Sequence, residues 1–392
     1  MTRAVFVTVF ALALSAGVFA QSGRRIAPKP SPSPVKTDDP TGYSESKPRV
    51  RAANRIIPTL NRAPVTSAPS DTIVTDPADD KSDGETLRIE TNLITIPVSV
   101  FDRHGLYIPG IRQTEFKIFE DGVEQEIAYF ATTDKPITVA LVLDVSPSTE
   151  YRIEEIRRAA VAFVDKLLPQ DSVIVIKFDH GIDVLTKATK DRQKIYKAID
   201  EADFGWGTSL YNAVDEALRK QLSKIEGRKA VVLFTDGVDT TSRKNSYDST
   251  MNYAEESDSL IFPIYYNTYL DNRRRSGGIL GGIYGGSPPG TTAGEYALGR
   301  QYLEELAAAT GGHVFRPEAT PGGLTRAFEG IAEELRRQYN IGYVPKDEGK
   351  PGQRKQIKVR VERPNLLIRA RDSYVVGTTS AATVPAPQKP QK

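Results

Sequence analysis

Cysteine is absent from all 392 residues, and histidine occurs only at His104, His180 and His313. The first absence excludes disulfide stapling, thiol catalysis, thiolate zinc sites and a lipid-modified cysteine. The second leaves histidine-rich metal sites without material. Charge of one sign is not in excess either, since 52 Lys+Arg face 50 Asp+Glu. No global field therefore draws the chain to nucleic acid or to an anionic membrane. No segment reaches the ~18 apolar residues that a bilayer span requires. The first twenty residues do hold a shorter run, Val5 to Leu14, behind Arg3 and ahead of the small-x-small pattern Val18-Phe19-Ala20. That arrangement reads as a signal peptide over 1–20, the alternative being an uncleaved N-terminal anchor. The chain is thus expected in the periplasm or at the cell surface, with no membrane span once the signal is removed.

Residues 21–85 hold ten of the 26 prolines and a single aromatic side chain, Tyr43. So little apolar surface cannot offset the entropy of ordering, and the segment is expected to be a disordered linker. The tail 377–392, ending PAPQKPQK, reads the same way. Between them the apolar period changes twice. Over 86–134, Leu87 and Ile89 alternate in one phase and Ile94, Ile96, Val98 and Val100 in the other, which implies a bulge near Leu93. Turn signals at Asp102-Arg103-His104-Gly105 and Glu120-Asp121-Gly122 separate short strands.

From 135 to 338 strands alternate with helices. The nearly continuous apolar run 137–143 fits a strand buried on both faces, and further strands are expected over 172–178, 182–185, 230–235 and 260–266. Helical spacing starts at Ile153 and recurs over 191–199, 209–222, 301–309 and 323–335. The alternation predicts an α/β fold with a doubly wound, mostly parallel, Rossmann-like sheet. Residues 268–300 interrupt it with seven glycines between Gly277 and Gly290 and no periodicity. They are expected to form a flexible loop, either touching a partner or tolerated on the surface. Strand alternation returns over 339–376. These strands should pack with those of 86–134, so that a small β-rich domain is built from segments before and after the α/β domain. Arg354, Lys355, Lys358, Arg360, Arg363, Arg369 and Arg371 make the returning strands basic. A solvated face of edge strands and a surface for an acidic or polysaccharide partner both account for that stripe.

Three segments carry the candidate chemistry: Asp144-Val145-Ser146-Pro147-Ser148, Gly205-Trp206-Gly207-Thr208-Ser209 and Phe234-Thr235-Asp236-Gly237-Val238-Asp239. The first and third follow buried strands, and the second precedes a helix. In open parallel sheets, ligand sites gather outside the carboxyl ends of strands. Two carboxylates and three hydroxyls arriving there form an all-oxygen set of the kind that hard cations take. Asp144 and Asp236 cannot share an apolar crevice without a compensating positive charge. Each segment alone is unspecific; their order and placement together are not.

The stretch 135–338 resembles a von Willebrand factor A domain with a metal-ion-dependent adhesion site. The resemblance implies that Asp144, Ser146, Ser148, Thr208 and Asp236 bind one Mg²⁺, with Mn²⁺ or Ca²⁺ as alternatives. It implies direct coordination by the three hydroxyls, aspartates acting partly through water, and one position open to a carboxylate of a partner protein. Pro147 departs from the family, where glycine is common, and narrows the loop without removing a ligand. Glu150 reads as a first-turn helix acid, and Asp239 as a helix-start residue or, alternatively, as a group that supports the metal ligands from behind. Trp206, the sole tryptophan, is either core packing or an exposed aromatic anchor at the rim. With Glu120-Asp121-Gly122-x-x-Gln125 and the ending from Tyr339 to Tyr374, the chain over 87–376 is also similar to bacterial exported proteins grouped as VWFA-related. That likeness implies no activity.

The expected function is an exported, metal-dependent protein-binding module for adhesion or assembly, and not an enzyme. One alternative is a structural scaffold whose metal braces the fold or is absent, with binding through the β-rich segments. A metal-assisted hydrolase is the weaker alternative, because no histidine or acid is placed by motif as a general base.

Overall fold

The computed structural model describes residues 42–47, 93–132, 135–147, 153–266, 292–318 and 320–377. The signal, most of the linker, the strand expected at Leu87 and Ile89, residues 267–291, Ser148, Glu150 and the tail from 378 lie outside the described residues. In chain order, β1 (Ser44–Glu45), β2 (Ile94–Phe101), β3 (Phe116–Glu120), β4 (Val123–Gln125) and β5 (Ile127–Thr132) come first. The α/β portion comprises β6 (Ile137–Asp144), α1 (Ile153–Lys166), β7 (Ser172–Phe178), β8 (Ile182–Thr189), α2 (Arg192–Asp200) and α3 (Leu210–Asp215). It continues with β9 (Arg228–Thr235), α4 (Tyr247–Glu256), β10 (Leu260–Tyr265), α5 (Ala293–Thr310) and α6 (Gly323–Arg336). Then follow β11 (Tyr339–Tyr343), β12 (Arg354–Val361), β13 (Leu367–Arg369) and β14 (Ser373–Val375). Among the described residues no helix is long and apolar enough to cross a membrane.

The apolar run of β6 is central because it has to be covered on both sides. The sheet order is β10-β9-β6-β7-β8, parallel throughout except for the antiparallel β7–β8 pair. Val139, Leu141 and Leu143 face a core closed by Ile156 and Phe163 of α1, Ile195 of α2 and Phe328 of α6. Ala140 and Val142 face the other core, closed by Leu210 of α3, Met251 of α4 and Leu306 of α5. This is the doubly wound α/β arrangement expected from the alternation of strands and helices. Two details differ. The helix expected over 209–222 is α-helical only through Asp215, then π-helical over Glu216–Gln221 and 3₁₀ over Leu222–Lys224. In addition, α5 begins eight residues before the expected helix, within the stretch assigned to the glycine-rich loop. Thr292 caps it in a reciprocal capping box with Glu295, which stabilises a helix start despite the glycines upstream.

The β-rich portion joins the two ends of the described chain. Strand β11 lies between β2 and β5, with Ile341 opposite both Ile96 and Phe130. Strand β12 pairs with β3, and one apolar core unites them. The Glu120-Asp121-Gly122 signal explains much of this joint. Asp121 and Gly122 take positive φ, 47° and 84°, as a two-residue hairpin between β3 and β4 requires. The buried Glu120 carboxylate then accepts the hydroxyls of Tyr343 at 2.7 Å and Tyr374 at 3.0 Å, with Lys355 Nζ 3.6 Å away. Gln125 Oε1 accepts the backbone N–H of Lys346.

Arg363 donates to both carboxylate oxygens of Glu115, at 2.7 and 3.0 Å, and these bonds hold that carboxyl down from 4.5 to about 2. A carboxyl depressed by folding stabilises above its unfolded value and loses that contribution as pH falls through its folded one. Acid titration of stability between about 4.5 and about 2 should therefore be shallower in Glu115→Gln than in the parent, as followed by circular dichroism at fixed temperature.

The basic stripe is not a free surface. Lys355 and Arg371 are buried, and Arg369 meets Glu334. Arg360 and Lys358 meet Glu45, which belongs to the segment expected to be a disordered linker. Residues 42–47 depart from that expectation: β1 lies antiparallel on the edge of β12, and Tyr43 stacks on Arg360 at 4.0 Å. Their polar and aromatic side chains suit a charged sheet edge in a way that the surrounding proline-rich sequence does not.

Candidate metal-binding site

Strands β6 and β9 are parallel neighbours with Leu143 opposite Phe234, so their carboxyl ends deliver Asp144 and Asp236 to one edge. Both are buried. Asp144 Oδ2 accepts the hydroxyl of Thr235 at 2.7 Å, and Oδ1 accepts the backbone N–H of Ser146 at 3.0 Å. Asp236 Oδ1 accepts the N–H of Val238 at 3.1 Å. Burial first, then the charge of Asp236, pushes the Asp144 carboxyl above the ordinary carboxylate range, against hydrogen bonds from Ser146 and Thr235 that favour its ionised form.

The third segment is stitched to the other two. Gly205 donates its N–H to the carbonyl of Val145. The carbonyl of Thr208 accepts the N–H groups of Thr240 and Thr241, and Thr240 Oγ1 accepts the N–H of Thr208. Asp239 accepts N–H groups from Tyr211 and Ser242, so it ties the β9 loop to the start of α3. Gly237 has φ +82° and lies against the backbone of Gly299 in α5; a Cβ on Gly237 would come within 2.8 Å of the Gly299 carbonyl carbon. The loop after β9 is thus wedged between Thr208 and a helix.

Of the five candidate ligands, the structure brings Asp144, Ser146, Thr208 and Asp236 to these joined loops, all four buried, while Ser148 lies outside the described residues. Sequence reasoning missed Thr235, which bonds Asp144, and Thr240, which fixes Thr208. The first depends on the register between β6 and β9, which spacing does not show. The donor chemistry fits a hard divalent cation: two mutually repelling buried carboxyls with hydroxyls beside them. No group of three or more His, Cys, Asp or Glu suited to a metal occurs among the described residues, so an ion here depends on the hydroxyls. Trp206 is not core packing. It is 81% exposed, beside Phe204 at 51%.

Residues 139–238 match the family model described as von Willebrand factor type A domain. No curated protein matches the chain. Among solved structures, the vWF domain of the type V pili tip protein Mfa5 from Porphyromonas gingivalis is similar at 16% identity, over 51% of this chain and 95% of that one, with a TM-score of 0.39. A von Willebrand factor type A protein from Catenulispora acidiphila is similar at 12% identity over 73% of each chain, with a TM-score of 0.40. Proximal thread matrix protein 1 from the mussel byssus, with a zinc-occupied MIDAS motif, is similar at 15% identity over 55% of this chain and 49% of its own, with a TM-score of 0.39. At residues 139–238, a stretch that includes the strand ends bearing Asp144 and Asp236, this chain carries a von Willebrand factor type A domain.

Proposed function

We propose that the chain is an exported binding module that captures a partner protein through a divalent cation held by Asp144, Ser146, Ser148, Thr208 and Asp236. One observation carries this reading: two buried carboxyls converge at the ends of adjacent parallel strands, with buried hydroxyls on loops hydrogen-bonded to one another. Burying two like charges is unfavourable unless a counter-charge arrives. Such a cation supplies a Lewis-acidic point that recognises a partner's carboxylate. The chain's own residues keep the ion in place: Thr235 orients the Asp144 carboxylate, and Thr240 fixes the backbone that presents Thr208. Export rests on the signal pattern of residues 1–20. No reaction is assigned, and the module acts by binding.

The test is a calorimetric titration of Mg²⁺ and Mn²⁺ into chelator-treated full chain, beside Asp236→Ala. Saturable one-site binding in the parent and none in the variant is expected. Equal heats in both proteins, or none in either, would sink the reading.

A further inference from the structure

The rim beside the metal-binding loops has features that the site itself does not use. Two large apolar side chains, Phe204 and Trp206, project into solvent on either side of Gly205. Their loop is held in place. Gly205 N–H is bonded to Val145 at 2.9 Å, Trp206 carbonyl to His180 N–H at 2.7 Å, and Ser209 N–H to Asp179 at 2.6 Å. Gly207 has φ +74°, and a Cβ there would press on Thr241 at 2.8 Å. The next loop, bonded to Thr208 through Thr240 and Thr241, carries Arg243 and Lys244. Both are exposed, and neither has an ion pair among the described residues, whereas the basic side chains of the β-rich stripe are paired within the chain.

We infer that this rim is the partner dock, and that it reads an acidic peptide segment carrying an aromatic or aliphatic side chain. The inference rests on the metal-dependent reading above and names the partner's chemistry. Charge complementarity selects the occupant: a cation site and two cations without an ion pair among the described residues call for carboxylates. The aromatic pair calls for an apolar side chain between them, and a fixed loop loses little entropy when it is covered.

The probe is a displayed random dodecapeptide library, selected on the full chain in Mg²⁺ and eluted with chelator. Enriched peptides should combine acidic residues with an aromatic or aliphatic one. A synthesised binder should shift the emission of Trp206, the only tryptophan, to the blue. It should bind Trp206→Ala, and separately Arg243→Glu/Lys244→Glu, about tenfold or more weakly, while Mg²⁺ titrates both variants as it does the parent. Chelator-eluted peptides that bind both variants as tightly as the parent would overturn the rim and leave the metal reading standing. Peptides that stay bound through the chelator step, come off only in acid and are lost in Trp206→Ala would overturn the metal reading and leave the rim. No enrichment on the parent over Trp206→Ala would overturn the rim.

Discussion

Alanine at Gly299 is expected to destabilise the protein by about 2 kcal/mol and lower its melting temperature by roughly 6 °C. Helix propensity alone predicts the reverse, a gain of about 1 kcal/mol for Gly to Ala inside a helix. The contact decides the sign, because the new Cβ would fall on the carbonyl of Gly237. A flexible side-chain tip could turn away at little cost; a backbone carbonyl flanked by Asp236 cannot. Overpacking against backbone costs about 1–3 kcal/mol or more, which outweighs the propensity. Gly294→Ala in the first turn of the same helix is the control, since its Cβ would meet only Thr292 Oγ1 at 4.0 Å. Thermal unfolding of both variants checks this. If Gly299→Ala melts with or above the parent, α5 is not wedged against the loop after β9. Weaker metal binding in that variant would show that the helix also sets the position of Asp236.

The second large effect is expected at Glu120, where alanine should destabilise by about 3–5 kcal/mol, as breaking a buried charged cluster does. Its carboxylate is the shared acceptor for two buried tyrosine hydroxyls, on β11 and β14, and lies beside the buried ammonium of Lys355 on β12. Burial first, then the hydrogen bond to Glu120, holds the Tyr343 hydroxyl far above its ordinary pKa, so it stays a neutral donor. Removing the acceptor takes the carboxylate from both tyrosine hydroxyls in the core, while Lys355 keeps Asp347 at 2.6 Å. Denaturant unfolding should show the loss in full, whereas Glu120→Gln, which keeps an oxygen acceptor, should lose less. An alanine variant within about 0.5 kcal/mol of the parent would mean that the cluster does not join the two ends of the β-rich portion.

The sequence made the α/β layer legible because central parallel strands have to be apolar on both faces. The runs at 137–143 and 230–235 leave no other reading for their length, and a conspicuous Asp follows each. The β-rich portion was legible as strands, and its assembly from both ends followed from the two matching alternations. Three features escaped for physical reasons. The capping box of Thr292 and Glu295 sits among residues whose composition points to a loop, and a cap of about 1 kcal/mol does not show in composition. The Thr235 to Asp144 bond belongs to strand register. The strand at Ser44 and Glu45 has no apolar alternation, because its contacts are an ion pair, a stacked ring and serine hydroxyls. The Trp206 choice between core and rim also needed the structure, since glycines on both sides fit either.

That edge strand has a mechanical meaning. Between Lys47 and Leu93 lie 45 residues of covalent chain, yet Ser44 and Glu45 are already fastened to Val361 and Arg360. A pull from the N-terminal side is therefore borne first by the clasp at the β12 edge. The short strand thus works as a fastener that takes up load ahead of β2, the strand that begins at Ile94.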